Sequence, residues 1–176
     1  MLLNKIKVVK YFIILFALII TPFLKPHGQS TGVDIRPSIK KIVTELSGEK
    51  TLHLGAPVGF AGTPETHNKY FKLYQKLGRK ATDKELVSLT EDDSKVLVLY
   101  SFLILHSRNY SNLKEVFLKN IKDNSDVRMA SDCTGIILRV NMFMLQQLNP
   151  AFNNSRQQYL TKEEYDKYLK DLERTK

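Results

Sequence analysis

Cysteine is nearly missing from this chain: its 176 residues hold one, Cys133. A lone thiol excludes an intramolecular disulfide. In an oxidising compartment it is either buried as a small hydrophobe or paired between chains. The apolar residues after it, Ile136 to Leu138, favour burial in a core helix. No cysteine stands near residues 25–31, so lipid attachment at an exported N-terminus is excluded. Histidine is also scarce. His27, His53, His67 and His106 show no pair four residues apart, the spacing that places two imidazoles on one helix face, and no metal site is expected. The cluster Asp123-Asn124-Ser125-Asp126 looks superficially like a calcium loop. It lacks the loop's glycine and its distal glutamate, and a helix-capping turn explains it. No cofactor is expected.

Acidic residues are absent from the first thirty positions, which carry Lys5, Lys7, Lys10 and Lys25. The formal charge is +9, and without that stretch 23 basic residues face 18 acidic ones. Lys40, Lys41, Lys72, Lys76, Arg79, Lys80, Lys114, Lys119 and Lys122 are interleaved with Asp and Glu. A nucleic-acid reader concentrates its cations on one face, so scattered charge predicts a solvated surface and no nucleic-acid partner.

Residues 1–30 have the plan of a secretory signal. Three lysines precede an apolar run from Tyr11 to Leu24, and Gly28-Gln29-Ser30 supplies small residues for cleavage. The run is shorter than the roughly 20 residues that comfortably cross a bilayer. An uncleaved anchor is the second choice, with Val8 and Val9 lengthening the run. The expected protein is exported, to the periplasm or beyond the cell, with no membrane span once the signal is removed.

After the signal, residues 31–62 read as a short helix from Pro37 to Leu46 followed by an irregular linker. Residues 63–148 carry the strongest helical signals. Thr63 and Pro64 open one helix, with Tyr70, Phe71, Tyr74 and Leu77 on one face and Gly78 as its stop. Thr82-Asp83-Lys84-Glu85 is a capping box. Ser94 caps a nearly all-apolar helix to Ser107, for which a strand at Val96–Tyr100 is the rival. His106 ends that helix, where the dipole favours a cation. Ser111 opens the next helix, Asp123–Asp126 forms a turn, and Val127-Arg128 begins another that runs to Leu148. A strand at Ile136–Val140 is the rival there. Residues 149–176 form a loop and a capping helix that opens with the box Thr161-Lys162-Glu163-Glu164.

The turn Asp92-Asp93-Ser94-Lys95-Val96 matches Asp123-Asn124-Ser125-Asp126-Val127 at an offset of 31 residues. A repeated helix–turn–helix unit is the mark of a solenoid. Asp92, Val96, Asp123, Val127 and Arg128 fall where HEAT repeats carry their aspartate and valine-arginine signature, with Leu97 where arginine is usual in the first unit. The chain from Thr82 to Leu148 therefore resembles two degenerate HEAT repeats. More loosely, Gly59-Phe60-Ala61-Gly62 through Tyr100-Ser101-Phe102 is similar to a group of exported bacterial helical proteins, a likeness that implies no function. The resemblance implies an all-α fold: a short right-handed stack of antiparallel helical hairpins, flanked by an N-terminal helix and loop and a C-terminal capping helix.

No catalytic constellation is expected. Cys133 and Arg139 have the spacing of a phosphatase loop, but Ile136, Ile137 and Leu138 put bulky groups where the backbone must approach the anion. A hydrolase using Cys133, with His67 or His106 as base and Asp132 as orienter, is the enzymatic alternative. A binder of a small apolar ligand between helices is another. Tyr70, Phe71 and Tyr74, with Tyr159, Tyr165 and Tyr168, either line a recognition surface or pack the ends of the stack. Of these, Tyr70, Tyr74, Tyr165 and Tyr168 are the candidate interaction surface. By analogy with helical solenoids, the expected function is non-enzymatic: a scaffold or adaptor for another envelope or secreted protein.

Overall fold

The structure, a computed structural model, describes residues 35–55, 68–130, 135–151 and 157–174. The stretch expected to be a signal (residues 1–30), with Thr63, Pro64, His67, Asp132 and Cys133, lies outside the described residues. Residues 33–176 are a compact unit with its own hydrophobic core. Seven helices and three short strands are formed among the described residues. The chain is mostly helical, and the expectation of a purely helical fold is corrected by the small sheet.

Helix α1 (Pro37–Ser47) starts on Pro37, whose missing N–H costs nothing in the first turn, and buries Ile39, Ile42 and Leu46 on one side. Strand β1 (Thr51–Leu52) comes next, inside the stretch expected to be an irregular linker. Helix α2 (Lys69–Lys80) is capped by Asn68, whose carbonyl accepts from the N–H of Tyr70 at 2.7 Å and of Phe71 at 3.3 Å. Gly78 does not end this helix, which continues to Lys80. Glycine stops a helix when it turns left-handed, and Gly78 is not among the glycines with positive φ. It stays helical and faces Ile104 instead: a Cβ there would sit 3.5 Å from that side chain.

Helix α3 (Asp83–Leu89) opens with the expected capping box of Thr82 and Glu85. Ser94 caps helix α4 (Lys95–Ser107), which is buried from Val96 to Phe102 and again at Ile104 and Leu105. This helix is the centre of the fold. It touches α1, α2, α3 and β1, and also α5 (Leu113–Asn120) and α6 (Val140–Gln147). A helix covered on most sides needs apolar residues all round, which is why its sequence shows no polar stripe. Helix α7 (Lys162–Arg174) begins with its own reciprocal box: Thr161 N–H donates to Glu164, and Glu164 N–H donates to Thr161 Oγ1.

The main departure comes after α5. Val127-Arg128 does not begin a helix. Asp126–Met129 is strand β2, and Ile136–Arg139 is strand β3. They pair antiparallel with Asp126 opposite Arg139 and Met129 opposite Ile136. Strand β1 lies parallel on the other side of β2, Thr51 opposite Arg128 and Leu52 opposite Met129. Cys133, read as part of a core helix, lies between these strands and outside the described residues. Two features favour the ribbon. Val127, Ile136 and Ile137 are β-branched, and Gly135 adopts φ +69°, a left-handed conformation that breaks a helix.

The turns at the two repeat positions are nonetheless alike. Asp92 accepts from Ser94 N–H at 2.8 Å, and Asp123 accepts from Ser125 N–H at 3.1 Å. The first turn leads into a helix, the second into the ribbon, and the sixth helix starts only at Val140.

Candidate functional site

The pleat sorts the sheet into two faces. Residues opposite one another point to the same side, and side chains alternate along each strand. Leu52, Val127, Met129, Ile136 and Leu138 share one side, where Leu52 and Val127 are buried in the core. Thr51, Asp126, Arg128, Ile137 and Arg139 share the other. On that outer side Ile137 is 72% exposed, the most exposed large hydrophobic of the described residues; Ile136, on the other side, is 46% exposed. The strand order is β1-β2-β3, so among the described residues no strand pairs with the far edge of β3.

A cleft of about 550 Å³ opens at this outer face, lined by Lys50, Asp126, Arg128, Gly135 and Ile137. Its two cations outnumber its one carboxylate. An open strand edge offers backbone donors and acceptors in a row, and natural proteins usually protect such an edge with charge, proline or a cover. Here two adjacent isoleucines occupy it. The arrangement is chemically suited to take an extended peptide: main-chain hydrogen bonds along β3, an apolar contact at Ile137, and Lys50 for a carboxylate.

Gly135 holds the shape of this corner. A Cβ at that position would lie 3.0 Å from the Met129 carbonyl oxygen and 3.2 Å from Arg128 Nε, on a backbone that L side chains rarely adopt. Gly135→Ala is expected to cost about 1.5 kcal/mol. Hydrogen exchange checks this: the amides of residues 126–129 and 136–139 should exchange faster in the variant, while those of α4 keep their protection.

The residues expected to form a repeat signature divide between core, turn and cleft. Val96 and Val127 are buried. Asp123 is half-buried. Burial pushes its carboxyl up, but hydrogen bonds from Lys95 and Ser125 outweigh that and hold it below the ordinary value. Lys95 therefore links the first turn to the second, with Nζ 2.9 Å from Asp123. Arg128 lines the cleft.

The four tyrosines lie on two helices, Tyr70 and Tyr74 on α2 and Tyr165 and Tyr168 on α7. Each is half-buried and packs on the core. Tyr70 stacks on His53 at 5.8 Å, Tyr74 on Tyr100 at 4.7 Å, and Tyr168 meets Phe117 edge-on at 5.6 Å. Tyr165 lies against the core from α7.

His106 is the second correction. Its Nε2 is buried with no partner, its ring rests 5.9 Å from that of Tyr159, and burial lowers its pKa. Burial disfavours the cation expected at a helix end. A histidine whose folded pKa is depressed binds fewer protons than in the unfolded chain. Stability is therefore full above the unfolded value of 6.5 and falls as pH drops below it. Denaturant midpoints measured from pH 8 to pH 5 should show that fall, and His106→Leu should flatten it.

Among the described residues no three His, Cys, Asp or Glu side chains come together as a metal cage. No described helix is long and apolar enough to cross a membrane. Comparison with protein-family models, curated proteins and solved structures finds no match. Reading the sequence alone misses Ile136, Ile137 and Lys50, because Ile136-Ile137 fits a helix core as well as a strand. The signal that separates the two is Gly135 just before them, the residue type that closes a ribbon.

Proposed function

We propose that the chain is an exported, non-enzymatic adaptor that binds an extended segment of another envelope or secreted protein along strand β3. The observation that carries this is Ile137, 72% exposed on an edge strand beside a cleft with Lys50 and Arg128. Leaving such a side chain in water costs the hydrophobic free energy that a partner would recover. Lys50 at the cleft favours a segment with a carboxylate near its apolar residue. The helical part is read as a degenerate HEAT-like stack that presents the sheet. Supporting that reading are the equivalent turns at Asp92 and Asp123 and the Lys95 bridge between them.

The test is crosslinked capture from native envelope extract. Tagged Val33–Lys176 is compared with its Ile136→Ser, Ile137→Lys variant. Both positions are exposed, so the variant's stability should stay within about 0.5 kcal/mol of the parent. A reproducible partner lost with the variant is the expected result. Equal recovery by both proteins, or a blank with both, overturns the reading.

A further inference from the structure

The charges on α2 define a second surface. Between Lys69 and Lys80 there is no acidic residue. The residues of this helix exposed to solvent are Lys69, Lys72, Gln75, Lys76, Arg79 and Lys80, so five of the six are cations. At about 100° per residue the five cations fall within an arc of about 100°, over a length of about 17 Å. Leu77, fully buried, and the core-packed Tyr70 and Tyr74 lie away from this arc, and the core-packed Leu73 borders it. Helix α1 packs beside α2 and adds the exposed Lys40 and Lys41.

One carboxylate answers this group. Glu45 pairs with Lys69 at 2.6 Å. That hydrogen bond holds its carboxyl below the ordinary value against the opposing effect of burial, and the fields of Lys41 and Lys76 act in the same direction. Among the described residues no acid pairs with Lys72, Lys76, Arg79 or Lys80. Five cations elsewhere have a carboxylate partner: Lys95 with Asp123, Arg108 with Asp83, Lys114 with Glu164, Lys119 with Glu91 and Lys162 with Asp166. Like charges three and four residues apart on a helix repel, so this face weakens its own helix unless an anion covers it.

We infer that the exposed face of α2 docks on the surface of an anionic lipid bilayer. Four of its five cations are lysines, hydrated point charges that suit diffuse attraction to a fluid array of headgroups. A fixed phosphate or carboxylate is read better by the planar fork of arginine, and α2 offers one, Arg79. The face carries no exposed aromatic on which a nucleic-acid base would stack, since Tyr70, Phe71 and Tyr74 are half-buried. It carries no exposed apolar residue either, so the contact stays at headgroup level and salt reverses it. This surface is separate in its residues from the β3 edge and does not depend on the reading of that edge.

The experiment is vesicle sedimentation with Val33–Lys176, the compact unit that lacks the apolar N-terminal run. Vesicles of phosphatidylcholine with about one part in three of phosphatidylglycerol are compared with phosphatidylcholine alone, at low and high salt. The expected result is binding to the anionic vesicles only, abolished by salt. The variant K72Q/K76Q/R79Q should bind at least about tenfold more weakly. The control K122Q/K167Q/K170Q, which removes as many exposed cations elsewhere, should change binding little. Circular dichroism verifies the fold of both variants, and if either fails to fold, the lipid and salt dependence of the parent protein decides. Absence of binding, equal binding to neutral vesicles, equal loss in both variants, or tighter binding to a DNA duplex at the same salt overturns the inference.

Discussion

Tyr100→Ala is expected to lower the unfolding free energy by about 4 kcal/mol, a fall of about 10 °C in Tm for a unit of this size. Tyr100 is fully buried in α4 and stacks on Tyr74. Its hydroxyl accepts from the backbone N–H of His53 at 2.8 Å and lies 3.2 Å from the His53 carbonyl, to which it donates. The residue thus fills the centre of the helical core and fastens the end of β1, the strand that supports β2 and the cleft. Truncation leaves a cavity and also strips a backbone donor of its partner. Tyr100→Phe separates the two contributions. It keeps the ring, removes only the hydroxyl, and is expected to cost about 1.5 kcal/mol. Hydrogen exchange in the Phe variant should show faster exchange at Thr51 to His53 with α4 unchanged. A Phe variant as unstable as the Ala variant would mean that packing around Tyr100 contributes little.

Glu85→Ala comes second, at about 3 kcal/mol. Glu85 is buried at the start of α3 and accepts five hydrogen bonds: from Arg36 N–H, Nε and NH2, and from Thr82 N–H and Oγ1. It ties the residue before α1 to the cap of α3, so one side chain fixes two helix starts. Arg36 is about half exposed, and its guanidinium turns to water when the partner is lost. The cost therefore falls mainly on the unmade cap and the two stranded backbone donors, and Arg36→Ala should cost less than Glu85→Ala. The carboxyl is pushed down to about 2, first by the Arg36 hydrogen bond and then by Thr82, against the opposing effect of burial. A lowered folded pKa means the unfolded chain binds more protons in this range. The contribution is full above about 4.5 and disappears as pH falls through about 2. Glu85→Gln should be less stable at pH 7 and should lose the acid slope that the parent shows between those values.

The parts of the fold legible in the sequence are those whose signals are local. Pro37 with Ile39, Ile42 and Leu46, the two capping boxes at Thr82 and Thr161, and the Ser94 cap each determine a helix within a few residues. The ribbon is legible only as the rival strand at Ile136–Val140, because strands of four residues are too short to show a period. Val127-Arg128 and Ile136-Ile137-Leu138 fit a helix pattern as well as a strand, and the likeness of the Asp92 and Asp123 turns points to a helix after both. The two turns do form alike, and the element after the second is decided by Gly135 and by pairing with β1. Strand β1 has two residues, Thr51 and Leu52, which become a strand only through Arg128 and Met129, far along the chain. His106 reads in the sequence as a favoured helix-end cation because its burial beside Tyr159 is a tertiary fact. The cationic face of α2 is present in the sequence. Counting charge over the whole chain hides it, whereas sorting Lys69 to Lys80 by helical angle exposes it.

Hydrogen–deuterium exchange on Val33–Lys176, free and saturated with the partner recovered by capture, tests whether a peptide joins the sheet at β3. An extended segment that joins the sheet must protect amides of residues 136–139 more than those of any helix. Protection concentrated there, and absent for Ile136→Ser, Ile137→Lys, is the predicted result. Protection confined to the helices, with β3 exchanging as fast as in the free protein, would contradict it.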